Sequence, residues 1–359
     1  MNAPHACSTS LWHRPVVVAG VCLALSVLFF APRLWLMTEY LPGTYQWDRA
    51  HTYLLQCEHP LRRDVEPAML WRLLPPLVAH ACALPGKTPL ALPWLGVIAC
   101  LVYVAVLFRR RLPDPRYVYG GTLLFATTSA VLVPVGWFGI NDAWIWLGLL
   151  AVSFGESAWA LPLACLLCPW VDERFIIGFP LAWIVRRLGR NEPIFSRASL
   201  AWLWLLPYIA VRLALSRLYP THGAEWSFFW FLLLHHAASV APTAPLGWWM
   251  GLRAAWAALA YSAWVTPPGR RLLAAATFAA TVGAALVVAS DLSRTIAMVL
   301  PAALWGCFEL ARRAPTLAPR VLLVAGLVNL AIPAAHVVYT KIDPISPLPI
   351  ELFRVLRGG

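Results

Sequence analysis

Long apolar runs, cut by short charged links, set the pattern of this chain from residue 15 to residue 340. A helix needs about 20 apolar residues to cross hydrocarbon, with a range of roughly 17–25. On that measure the pattern predicts spans over 15–37, 89–108, 117–137, 198–217, 245–265, 272–290, 295–311 and 320–340. The block 142–187 is interrupted at Gly155-Glu156-Ser157 and at Asp172-Glu173-Arg174. It reads as three short helices, 142–154, 157–171 and 175–187, with Pro162, Pro169 and Pro180 as kink points. Short, broken helices at membrane depth line cavities more often than they face lipid.

Two apolar pieces fit poorly as crossings: 68–84, with Arg72, Pro75-Pro76 and His80, and 226–240, with His235-His236. Taken as interfacial or re-entrant helices, they leave every strong short-loop arginine cluster on one side, as the positive-inside rule requires. The expected fold is therefore all-α: a polytopic integral membrane bundle of about 11 transmembrane helices plus two interfacial or re-entrant ones. The whole chain, 1–359, forms a single domain with a first outer loop at 38–88 and a second at 218–244. The rule puts the N-terminus in the cytoplasm, and from the small size of the chain the expected setting is a bacterial inner membrane. Most acidic residues then fall on the outer side.

Composition agrees with a membrane chain. Of 359 residues, 60% are hydrophobic and only 12% charged, against about 25% charged in a soluble domain. The net charge of +12 does not call for nucleic acid. It comes from loop clusters such as Arg109-Arg110-Arg111, Arg186-Arg187, Arg270-Arg271 and Arg312-Arg313, and the expected partners are membrane lipids. Cys165 and Cys168 have metal-site spacing but apolar flanks and no partner pair, so core packing is expected. Cys57 and Cys82 are open to a disulfide if they face an oxidising compartment.

Charge beside hydrocarbon is costly, about 2.5–3.5 kcal/mol per residue on the insertion scale. That cost singles out Asp172-Glu173-Arg174 and Asp291-Leu292-Ser293-Arg294. Asp291 and Arg294 share a helix face, and an arginine fork suits phosphate. Arg253 lies about 12 Å into its expected span at 1.5 Å per residue, so an anionic partner is expected for it. Asn141-Asp142 reads as a turn with a helix cap. Asp48, in the first outer loop, is a candidate general base, with Asp64 and Glu66 as the fallback. Gly247 and Gly251 have a helix-packing spacing. No nucleotide-binding or metalloprotease motif occurs, no cofactor is implied, and divalent-metal use stays open.

An inside N-terminus, one span, a long outer loop carrying Asp48, and many short paired helices together resemble the GT-C superfamily of polyprenyl-phosphate-dependent membrane glycosyltransferases. The resemblance covers most of the chain as architecture. It implies a lipid-linked sugar donor, with transfer to a lipid-linked or small acceptor on the outer, periplasmic face. It places the base at Asp48, donor phosphate at Arg253, Arg294 or Arg174, and sugar at Asp172, Glu173 or the outer-loop tryptophans. The chain departs from the family in lacking an Asp-Asp or Asp-Glu pair in the first loop. A flippase or transporter of lipid-linked saccharide, or a polysaccharide polymerase, is the alternative.

Overall fold

The computed structural model describes residues 14–34, 45–62, 64–65, 69–112, 114–194, 197–218, 237–288 and 291–357. The early helices are α1 (Pro15–Phe29), α2 (Tyr45–Glu58), α3 (Leu74–Ala81), α4 (Ala91–Arg111), α5 (Pro115–Ala126) and α6 (Ser129–Gly136). The middle holds α7 (Asp142–Phe154), α8 (Ala160–Leu167), α9 (Arg174–Gly189) and α10 (Leu206–Leu218). After them come α11 (Ala244–Leu252), α12 (Ala255–Val265), α13 (Pro268–Val288), α14 (Leu292–Thr295), α15 (Leu300–Arg313) and α16 (Ala318–Ala331). The chain ends in a hairpin, β1 (Ala334–Val338) with β2 (Lys341–Ile345), and a last helix α17 (Leu348–Leu356).

The helical class holds, but eleven crossings do not. Among the described residues, two helical stretches are long and apolar enough to span a membrane by length and composition: Thr88–Arg111 and Leu292–Arg313. A third exists only if α5 and α6, bent by 54° at Thr127-Thr128, count as one span. The expectation failed because hydropathy does not register where the backbone breaks. The run 117–137 divides between α5 and α6, and 245–265 divides at Arg253, whose φ of 53° no helix tolerates. Helices of 8 to 16 residues such as α8 and α9 reach only about 12–24 Å at 1.5 Å per residue, less than the roughly 30 Å of hydrocarbon.

The run 320–340 also divides. Helix α16 stops at Ala331, and the remainder pairs as an antiparallel hairpin in which His336 lies opposite Asp343. The hairpin is tied back to the body. Ser293 Oγ accepts from the Val337 amide at 3.0 Å, and Asp291 bridges to Val338.

Large apolar side chains still cover much of the exterior, among them Leu95, Leu163, Leu213, Val324 and Phe353. Exposed apolar surface on this scale marks a membrane or partner contact. The core lies between α4, α5, α7, α9 and α15 and includes the fully buried Phe108, Ile145, Leu149 and Phe175. The two glycines of α11 serve close packing: a Cβ at Gly247 would strike Leu292, and one at Gly251 would reach Ser293 O at 2.6 Å and overlap Ile296. Cys57 and Cys82 are free thiols, so no disulfide joins them, and Cys165 and Cys168 are buried in the core.

Candidate functional site

Three helices begin at one place, and each begins with a carboxylate. Asp142 is the first residue of α7, Asp291 immediately precedes α14, and Asp172 accepts from the Arg174 amide that opens α9, at 3.0 Å. A helix N-terminus carries partial positive charge, so three such ends favour three buried anions. The same helices run toward arginine clusters. Arg186 donates to Val152 O and Gly155 O at 2.9 Å, and Arg190 to Gly155 O at 3.2 Å. Acids and loop arginines thus occupy opposite ends of α7, about 18 Å apart at 1.5 Å per residue.

Two arginines close the acidic end. Arg174 grips Asp172 through Nε at 2.7 Å and Nη2 at 2.6 Å, and reaches Asp142 at 2.8 Å. Arg294 holds Asp142 through both Nε and Nη2, and Asp291 through Nη1 at 2.6 Å. Arg72 adds a third cation on Asp172 at 2.9 Å. His336, fully buried, donates from Nε2 to the other Asp291 oxygen and stacks edge-on to Trp137, with ring centres 4.4 Å apart. Burial alone would raise the carboxyl pKa values. For Asp172 the guanidiniums of Arg174 and Arg72 outweigh it, and for Asp291 His336 and Arg294 do, so both groups sit well below the usual value of 3.8.

The network forms the floor of a narrow cleft, with about 290 Å³ of empty space counting its mouth. Its walls come from α2 (Arg49, Tyr53, Gln56), from Arg72 and Pro75, and from Asn141, Asp142 and Val171. Three buried polar atoms of lining residues, Gln56 Oε1, Arg72 Nε and Asn141 Oδ1, have no partner among the described residues. An unpaired buried polar atom costs about 1–3 kcal/mol. Three at one cleft mark a place for water or for a polar ligand. Pro75 and Val171 also line an apolar groove, about 1120 Å³ counting the open space at its mouth, formed with Leu92, Trp144, Leu163 and Leu167.

The expected residues divide. Asp172, Arg174, Asp291 and Arg294 meet in this network, while Glu173 stands at its rim, 3.8 Å from Arg72. Arg174 and Arg294 are taken up by carboxylates instead of being held free for phosphate. Arg253 lies elsewhere and has no carboxylate partner among the described residues. It donates to Thr127 O at 3.2 Å and to Ile332 O, and lies 4.8 Å over the Phe30 ring. Those three residues end α5, α16 and α1, so Arg253 satisfies helix C-termini, where a cation is favoured. Asp48 is in the first turn of α2, next to Arg49, but its side chain lies outside the described residues, as do Glu66 and the His235-His236 pair. Asp64 is exposed and pairs with Arg62.

Sequence reasoning passed over Asp142, Arg72, Gln56 and His336. Asp142 read as a cap, but it is the first residue of α7 with Asn141 at the cap position, and no local signal shows that two remote arginines converge on it. Arg72 carried a usable signal, a charge inside an apolar piece, as did His336. Among the described residues no group of three or more His, Cys, Asp or Glu side chains is placed to hold a metal ion. Comparison with family models, curated proteins and solved structures finds no match.

Proposed function

We propose that this chain is a membrane-associated glycosyltransferase that takes a sugar from a polyprenyl-phosphate-linked donor and passes it to a lipid-linked or small acceptor at the periplasmic face of a bacterial inner membrane. One observation carries the proposal: the polar cleft and the large apolar groove share a wall at Pro75 and Val171. An amphiphile with an anionic head and a long hydrocarbon tail matches both compartments at once. The head lies beside Arg72, whose Nε has no partner among the described residues, and a guanidinium there stabilises the charge that develops on the departing phosphate. The tail lies along Trp144, Leu163 and Leu167.

Arg174 and Arg294 act indirectly, by fixing Asp142 and Asp172 at the cleft floor. Asp48 takes the acceptor proton from the first turn of α2, the helix that also supplies Arg49, Tyr53 and Gln56 to the cleft wall. The test is glycan transfer in membranes with matched protein levels. Arg72→Ala lowers transfer by about 10²–10³-fold, the scale for losing one donor to a developing anion, and Asp48→Asn lowers it further. Wild-type transfer by both variants would overturn the assignment.

A further inference from the structure

A second groove lies at the arginine end of the molecule, between α9, α12, α13 and α15, with about 780 Å³ of space counting its open mouth. Its walls are almost wholly apolar and include Leu181, Val185, Trp256, Leu259, Phe278 and Trp305. One charged residue, Arg271, lines it. Arg271 donates to the last carbonyls of α12, Trp264 O at 3.0 Å and Thr266 O at 3.2 Å, which fixes the guanidinium at the groove end. Arg270 is its neighbour in sequence, and Arg313 reaches Val265 O at 3.4 Å. Glu309 offsets part of this charge by pairing with Arg312 and Arg313. The rim stays cationic. Trp264 and Leu272 flank it at 76% and 82% exposure, the arrangement of an aromatic residue beside arginine at a headgroup boundary.

We propose that this groove binds an anionic membrane phospholipid, with one acyl chain between α12 and α13 and the phosphate against Arg270 and Arg271. The proposal is independent of the reaction assigned above, because the site lies at the opposite end of α9 from the Asp–Arg network. Charge complementarity selects the occupant: a zwitterionic lipid fills the groove equally well but gains less from the arginine rim, since each basic residue near an anionic surface contributes on its own.

Native mass spectrometry of the detergent-purified full chain tests it, with equal amounts of phosphatidylglycerol and phosphatidylcholine offered. The expected result is retention of one phosphatidylglycerol, with about tenfold preference over phosphatidylcholine. Replacing both arginines, Arg270→Gln with Arg271→Gln, keeps hydrogen-bonding groups but removes charge, and weakens retention about thirtyfold. Ala263→Trp, at an exposed position on the groove wall, blocks the chain and abolishes retention with the arginines intact. Should Ala263→Trp misfold, the glutamine pair decides alone. Equal retention of the two lipids, an undiminished preference in the glutamine variant, or displacement of the lipid by millimolar inorganic phosphate would overturn the proposal.

Discussion

Replacing Asp142 by asparagine tests the ion network most directly. The carboxylate is 3% exposed and receives Arg174 Nη2 at 2.8 Å and Arg294 Nη2 at 2.9 Å, with Arg294 Nε bound as well. An amide keeps the volume and one acceptor oxygen. It removes the negative charge and turns an NH2 group toward guanidinium donors, so two buried cations lose their shared anion. Removing one partner from a buried ion pair costs about 3–5 kcal/mol. Asp172 and Asp291 still neutralise part of the charge, which favours the lower half of that range. Against a total stability of about 5–15 kcal/mol this is a large fraction. With about 2 °C or less per kcal/mol at this chain length, the melting temperature falls by about 4–8 °C. Intrinsic fluorescence of the chain's 20 tryptophans in detergent reports the transition. Glu156→Gln is the control. Its contact with Arg110 is 3.9 Å long between side chains at least 69% exposed, and such pairs contribute about 0–1 kcal/mol. If Asp142→Asn melts as close to wild type as Glu156→Gln does, the network does not hold the three helices together.

Further outcomes follow from the same geometry. Gly251→Ala forces α11 away from α14, because the new methyl overlaps Ile296 and lies 2.6 Å from Ser293 O; a loss of about 1–3 kcal/mol is expected in thermal unfolding, and an unchanged melting temperature would contradict that packing. Arg253→Met strands two helix-end carbonyls, Thr127 O and Ile332 O, at about 1–3 kcal/mol each, while Arg253→Lys recovers part of the loss; equal stability of the two variants would show that packing of the stem, not the fork, matters. Asp172 and Asp291 have folded pKa values below 3.8, so their contribution is complete above the ordinary value and disappears as pH falls through and beneath it. Stability is therefore level from about pH 7 to 5 and declines below about pH 4; a decline already complete by pH 5 would assign acid sensitivity to other groups.

Charge placement was legible in the sequence, and backbone breaks were not. Asp172, Arg174, Asp291 and Arg294 stood out because ionised groups beside apolar runs are costly, and they do assemble. Their partners were harder to see. Arg294 and Asp142 are 152 positions apart, and the hydrophobic pattern carries no information about which distant groups meet. The eleven spans failed for a local reason. A run such as 245–265 is apolar apart from Arg253, where the chain turns, and a window average passes over one residue. The hairpin at 334–345 was hidden likewise, though Pro333, Pro344 and Pro347 signal the end of a helix there.

The ion network also constrains the order in which a ribosome can deliver a finished molecule. Asp142, Asp172 and Arg174 emerge first, and Arg294 and His336 well after them. A nascent chain stopped short of residue 291 therefore holds Asp142 and Asp172 with Arg174 and Arg72 but without Arg294. Asp142 then lacks one of its two guanidinium partners, and the tie from α7 to the hairpin forms only once residues 291–336 have been made.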